Sequence, residues 1–147
     1  MIATGYNGYK NTIVNTTCSK DKILLLLYEK ALLCLKMARK GIEEENPRIK
    51  GENISKVLAI LTEFECALDK ENGGNIADSL GELYSYCTDR LTAANIHNDS
   101  GAIQEVEEIL AELHEGFKDA ALQAAGNTAL HAKPAADMAG GGMRIAV

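Results

Sequence analysis

Only two prolines, Pro47 and Pro134, interrupt the chain, so long stretches of it lack the residue that most strongly breaks helices. Apolar residues make up 46% of the 147 residues and charged residues 24%, which is enough apolar material for one domain with a buried core. We therefore expect an all-α protein built from long helices.

Apolar residues recur at three- and four-residue steps in four segments, each of which is predicted to be a helix. The first helix begins near Ser19 and the second spans about 48–70. The third starts near Asn75, and the fourth starts at Asp99 or Ser100. The predicted core faces are Leu24, Tyr28, Ala31, Leu35, Ala38 and Ile42; then Ile54, Val57, Leu58, Leu61, Phe64 and Leu68; then Ile76, Leu80, Leu83, Cys87, Leu91 and Ala94; and finally Ile103, Val106, Leu110, Leu113, Phe117 and Ala120. Short connections between such helices predict an antiparallel four-helix bundle.

Three regions follow from this pattern. Residues 1–18 show no helical stripe and are predicted to form an extended N-terminal arm. Residues 19–122 form the predicted bundle domain. Residues 123–147 are rich in Ala and Gly and are predicted to form a flexible C-terminal tail.

Charge and hydropathy argue against two classes of partner. The net charge of −6 is the wrong sign for a nucleic-acid surface. The longest apolar run, Ile23 to Tyr28, is far shorter than the ~20 residues that cross a bilayer. No basic start followed by an apolar stretch occurs at the N-terminus. We therefore expect a cytoplasmic protein without membrane insertion.

The motifs for bundle metal chemistry are missing. A di-iron bundle needs Glu-x-x-His, yet small or hydroxyl residues stand three positions before each histidine. These pairs are Ala94 with His97, Ala111 with His114, and Thr128 with His131. Widely spaced cysteines are most simply reduced core residues, and a four-cysteine metal site is the alternative. These cysteines are Cys18, Cys34, Cys66 and Cys87. We expect no metal, no cofactor and no catalytic residue, and hence not an enzyme.

The first helix has more apolar surface than one core face requires. Its additional apolar residues are Leu25, Leu26, Leu27, Leu32 and Leu33. The surplus has two interpretations: the N-terminal arm covers leftover core, or the helix offers a groove to a partner helix with the arm as a removable lid. Periodicity alone leaves both open.

Several short motifs occur in the same order and at the same spacing as in one protein family. The first helix contains K-I-L-L-L-L-Y-E-K-A-L over residues 22–32. The other motifs are Tyr6-Asn7-Gly8-Tyr9 followed by Val14; Leu68-Asp69 followed by Gly73-Gly74-Asn75-Ile76-Ala77; and Leu83-Tyr84-Ser85-Tyr86 followed by Leu91, Ala94-Asn95 and Asn98-Asp99. Over residues 6–120 the chain resembles the FliS family of flagellin-specific export chaperones.

The resemblance implies a function. A chaperone of this family is expected to bind the disordered C-terminal helical segment of flagellin in the cytosol, to prevent premature polymerisation and to deliver flagellin to the flagellar type III export apparatus. The implied partners are this flagellin segment and a component of the export gate, with the chaperone a monomer or weak homodimer. The alternative is a generic helical adaptor for amphipathic helices of another client.

The resemblance also suggests which residues meet the partner. We predict that Tyr6, Tyr9 and Ile13 form the lid. The candidates near the client or lid surface are Leu80, Leu83, Tyr84, Leu91 and Asn95. For Leu83 and Leu91, a position in the core without any contact to the partner fits the apolar spacing equally well.

Overall fold

A computed structural model describes residues 16–130 of the chain and, among them, the side chains of residues 20–124. The described part folds into four helices: α1 (Thr16–Glu43), α2 (Pro47–Ala67), α3 (Lys70–His97) and α4 (Ser100–Leu130). Helices α1 and α3 each pack against both α2 and α4, so the predicted all-α four-helix bundle is confirmed. Residues 1–15 of the predicted arm and the tail beyond residue 130 lie outside the described residues, and residues 16–18 of the predicted arm already belong to α1. Helix α4 continues through Leu130, further than the predicted end of the bundle at 122.

Polar side chains define where three of the helices begin. Asn46 accepts a hydrogen bond from the backbone N–H of Ile49, and Pro47 occupies the first turn of α2. Asp69 accepts a hydrogen bond from the backbone N–H of Asn72 and caps α3. At the start of α4 the carboxylate of Asp99 accepts from Ala102 at 3.1 Å. These caps satisfy backbone donors that have no partner inside the helix.

The second helix ends earlier, and the third begins earlier, than the sequence predicts. Helix α2 ends at Ala67, and Leu68 is extended, so the polar segment 70–73 already belongs to a first helical turn of α3. Gly74 then kinks α3 with φ 54° and ψ −135°. Only glycine adopts this backbone conformation readily. The straight part of α3 therefore starts at Asn75, where the sequence predicts the helix to begin.

The core confirms most of the predicted faces. Its buried members from α1 and α2 are Leu24, Tyr28, Ala31, Cys34, Leu35, Ala38, Ile54, Val57, Ile60, Leu61 and Phe64. Those from α3 and α4 are Ala77, Leu80, Tyr84, Cys87, Leu91, Ala94, Ala102, Ile103, Val106 and Leu110. Leu58, Leu68, Leu113 and Phe117 are half-buried against this cluster.

The predicted face of α3 was wrong at two positions. Ile76 is 51% exposed and Leu83 is only half-buried. The adjacent residues Ala77 and Tyr84 occupy the core instead. Tyr84 can be buried because its hydroxyl finds a hydrogen-bond partner there, so the more polar of two neighbouring residues faces inward.

Helices α1 and α2 approach each other closely near the turn that joins them. A Cβ added at Gly41 would lie 2.6 Å from the backbone nitrogen of Lys50. Because that neighbour is backbone, it cannot move aside as the tip of a side chain can. Glycine at this position therefore permits the two helices to pack at this distance.

Candidate partner-binding surface

An aromatic cluster at the centre of the bundle takes one ring or more from every helix. Tyr28 of α1 stacks on Phe64 of α2 with ring centroids 4.3 Å apart, and Phe64 lies 5.5 Å from Tyr84 of α3. Phe117 and His114 of α4 lie 5.6 and 6.2 Å from Tyr28. The cluster therefore joins all four helices through contacts that aromatic rings favour.

The two tyrosines of this cluster share a hydrogen bond. Their hydroxyl oxygens lie 2.8 Å apart in the buried core, and either hydroxyl can be the donor. Burial raises the pKa of both phenols above the ordinary value of 10.0. Both groups therefore stay protonated at neutral pH, and the pair satisfies two polar atoms that would otherwise be buried alone.

The structure separates the residues predicted to meet a partner. Leu80, Tyr84 and Leu91 lie in the core, with Leu91 fully buried. Leu83 and Asn95 are partly exposed. Contact between the buried three and a client stays a prediction, and it would require surface that the bundle covers in this conformation. The lid residues Tyr6, Tyr9 and Ile13 lie outside the described residues.

The surplus apolar residues of α1 form an exposed stripe, which we call the α1 stripe. Its members and their exposed fractions are Ile23 (45%), Leu26 (62%), Leu33 (61%) and Met37 (38%). With Lys30 between them, they follow three- and four-residue steps and so share one side of the helix. The stripe is about 21 Å long at 1.5 Å per residue. It lies opposite the core face of α1, so that one helix carries two apolar faces.

A shallow groove between α1 and α4 continues the α1 stripe. Its lining residues are Lys22, Leu25, Leu26, Glu29, His114 and Lys118. Leu26 belongs to both the groove and the stripe. Two leucines supply its apolar lining, Lys22 and Lys118 supply positive charge, and Glu29 supplies one negative charge. Together, the stripe and the groove are an apolar surface with basic edges.

A group of polar side chains joins α3 to α4 at the surface. On the surface of α3 and α4, the hydroxyl of Tyr86 donates to Glu105 at 2.6 Å, and the Nε of Arg90 donates to the same carboxylate at 2.7 Å. These two hydrogen bonds hold the pKa of Glu105 below its ordinary value of 4.5. The three side chains fasten α3 to α4, and we call them the α3–α4 clamp.

Asn95 lies at the end of α3, where a lysine of α2 ties down the turn. The Nζ of Lys50 donates to the carbonyl oxygen of Asn95 at 2.9 Å and to the side chain of Asn98 at 2.6 Å. Asn98 adopts the left-handed conformation with φ 54°. Lysine at the carbonyl end of a helix also complements the helix dipole. Asn95 therefore takes part in this contact through its backbone carbonyl oxygen, close to the end of α3.

The cysteines are not all core residues. Cys34 and Cys87 are buried, but Cys66 is exposed, so the prediction that the cysteines are small core residues was wrong for Cys66. It lies on α2 outside the face that packs inward. The side chain of Cys18 lies outside those that are described. Across the described residues, no three His, Cys, Asp or Glu side chains are grouped closely enough to hold a metal ion.

The sequence prediction missed the individual residues of the α1 stripe as partner contacts, although it identified the surplus. A second three- and four-residue register, running through positions 23, 26, 30, 33 and 37, was the signal that could have found them. Among the described helices, none combines the length and the hydropathy that a membrane span requires.

Comparison with known proteins agrees with the architecture. The family model described as flagellar protein FliS matches residues 2–124. A flagellar secretion chaperone FliS from Salmonella typhimurium is 36% identical over 120 residues, which cover 79% of this chain and 89% of the relative. The flagellar secretion chaperone FliS of Bacillus subtilis is 31% identical over 119 residues, covering 81% and 87%. The flagellar secretion chaperone FliSB of Pseudomonas aeruginosa is 36% identical over 96 residues, covering 65% and 76%. The chain therefore belongs to the FliS family of flagellar secretion chaperones.

Proposed function

We infer that this protein is a cytoplasmic export chaperone for flagellin. It binds the disordered C-terminal helical segment of flagellin, prevents premature polymerisation and delivers flagellin to a component of the type III export gate. It acts by stoichiometric binding, without a cofactor and without catalysis. Membership of the flagellar secretion chaperone family supports this function.

The exposed α1 stripe is the structural observation that carries the proposal. Leu26 and Leu33 are each more than half exposed, and the stripe is long enough for about four turns of a client helix. Amphipathic helices bind such surfaces through apolar residues spaced three or four positions apart. A client segment that is disordered when free gains helix as it binds, and this ordering lowers its affinity for a given buried area.

Titration with flagellin fragments tests the function. Isothermal calorimetry with the C-terminal segment of flagellin from the same bacterium is expected to give a one-to-one complex. Circular dichroism of the mixture is expected to show more helix than the sum of the two components. The N-terminal segment of the same flagellin serves as the control. Absence of both binding and added helix for the C-terminal segment would contradict the proposal.

Substitutions on the stripe test its part in binding. L26S/L33S is expected to weaken binding of the C-terminal segment by at least about tenfold, because each leucine loses apolar area that the client covers. I96S removes a similarly exposed apolar residue from the end of α3 and is the matched control. Equal weakening by both variants would contradict the assignment to α1 but leave the chaperone function standing.

A further inference from the structure

The charge on α1 differs from that of the rest of the molecule. The chain has a net charge of −6, yet α1 contains six basic and three acidic residues, which leaves that helix at +3. Arg39 and Lys40 pair with carboxylates, at 2.8 and 3.9 Å. Lys22, Lys30 and Lys36 are exposed and have no carboxylate partner within residues 20–124. Glu29, an exposed carboxylate that lines the same groove, offsets part of this charge, so the surface beside the α1 stripe keeps a net positive charge.

We propose that the outward face of α1 binds an acidic amphipathic helix of the client. This inference rests on the proposed chaperone function and adds the chemistry of the segment that is bound. The occupant is a helix of about four turns, with apolar residues that match the stripe of about 21 Å and Asp or Glu on its flanks. Its carboxylates lie beside Lys22, Lys30 and Lys36, and Lys118 of α4 extends the basic edge along the groove.

The same charges disfavour the other occupants that the chain itself offers. A second copy docking through the same face by two-fold symmetry would bring like-charged lysines together. Residues 1–15 contain Lys10 and no acidic residue. Residues 131–147 contain two strongly basic residues, Lys133 and Arg144, and one acidic residue, Asp137. Neither terminal segment supplies the negative charge that would complement α1.

A membrane surface is the remaining ligand that combines apolar and negative chemistry. Basic amphipathic helices bind anionic lipid when attraction to the headgroups adds to apolar burial. Here the whole chain carries −6, so an anionic bilayer repels the rest of the molecule as it attracts α1. This repulsion favours a protein helix as the ligand, because a helix can contact α1 without approaching the negatively charged remainder of the molecule.

Paired model peptides test the preference. One labelled helical peptide carries leucines at the spacing of the stripe with glutamates on the flanks, and its match carries lysines in place of the glutamates. Fluorescence anisotropy at low salt is expected to show at least about tenfold tighter binding of the acidic peptide, and added salt is expected to reduce that difference. Equal affinity for the two peptides would overturn the proposal.

Charge-reversal variants separate the α1 face from a general charge effect. K30E/K36E is expected to weaken binding of the acidic peptide by about tenfold or more. K56E/K70E makes the same change in net charge at exposed lysines of α2 and α3 and is expected to leave binding unchanged. Equal effects of the two variants would overturn the assignment to α1.

The flagellin segment and two further probes complete the test. Binding of the C-terminal flagellin segment that is equally tight in wild type and K30E/K36E overturns this inference and upholds the chaperone function. Binding of the acidic peptide without binding of the flagellin segment overturns the chaperone function and upholds the charge preference. Sedimentation with phosphatidylglycerol vesicles that depends on Lys30 and Lys36, or self-association through this face in ultracentrifugation, would overturn the choice of occupant.

Discussion

At the scale of single residues, the most informative contact is the hydrogen bond between Tyr28 and Tyr84. The two residues are 56 positions apart and their hydroxyl oxygens lie 2.8 Å apart in the core. Spacing along α3 predicted that Leu83, and not its neighbour Tyr84, faces inward. Only the partner on α1 decides in favour of the tyrosine, so this feature could not be predicted from local sequence.

Removing one hydroxyl from this pair is expected to destabilise the fold. Y84F leaves the hydroxyl of Tyr28 buried without its partner, which costs about 1–3 kcal/mol. Y28F/Y84F removes both polar groups and is expected to be closer to wild type than either single variant. Urea unfolding of wild type, Y28F, Y84F and Y28F/Y84F gives the free energies of unfolding for this double-mutant cycle. Single variants as stable as wild type would show that the hydrogen bond does not contribute.

The cysteines are expected to differ in reactivity. Burial, and secondarily the charge of Glu105, raises the pKa of the Cys87 thiol from 9.0 to about 11. The raised pKa means that the folded protein favours the protonated thiol. The contribution of Cys87 to the free energy of unfolding is therefore fully present below pH 9.0 and is lost as pH rises through about 11.

Alkylation of the native protein measures this difference. Since the thiolate is the reactive form, iodoacetamide in mildly alkaline buffer is expected to label exposed Cys66 rapidly and to leave Cys87 unlabelled until the protein unfolds. Peptide mass mapping identifies the labelled positions, and unfolded protein is the control. Labelling of Cys87 at the rate of Cys66 would contradict the buried position.

At the scale of helices, the spacing of apolar residues predicted α1, α2 and α4 well, because each has a regular buried face. Leu24, Leu35 and Leu110 all lie where that spacing places them. Ile76 was misassigned because it follows the kink at Gly74, where the helix changes direction. Periodicity assumes a straight helix, so it cannot place a residue that lies so close to a kink.

Two glycine substitutions are expected to act in opposite directions. G74A places a Cβ at φ 54°, where non-glycine residues are strained, and is expected to destabilise the protein by about 1–3 kcal/mol. G116A lies inside α4 with nothing within 4 Å of an added Cβ, and is expected to stabilise it by about 1 kcal/mol. Thermal unfolding compares the two. A neutral or stabilising G74A would contradict the kinked backbone.

The α3–α4 clamp is expected to make stability depend on pH. The folded-state pKa of Glu105 is lowered by the hydrogen bonds from Tyr86 and Arg90. The resulting stabilisation is present above the ordinary carboxyl value of 4.5 and is lost as pH falls through the lowered pKa. Unfolding of wild type and E105Q is therefore expected to converge in acid. A stability difference that is independent of pH would contradict the clamp.

At the scale of the whole molecule, the sequence predicted the bundle and its surplus of apolar surface but not where that surplus lies. Leu80, Tyr84 and Leu91 were chosen by resemblance, and the bundle buries all three. Leu26 and Leu33 were recognised only as extra leucines, and the bundle exposes both. The spacing identified the core face of α1, but only packing against α2 and α4 determines which of the additional leucines are covered and which stay exposed.

The most direct test of the central claim is a methyl NMR titration of the protein with the C-terminal flagellin segment. Ile23, Leu26 and Leu33 are expected to show the largest shift changes, because their methyl groups leave water for the client helix. Exposed Ile96 serves as an internal control and is expected to change little. Large changes at Ile96 and other α3 methyl groups, with the α1 stripe unchanged, would contradict the account.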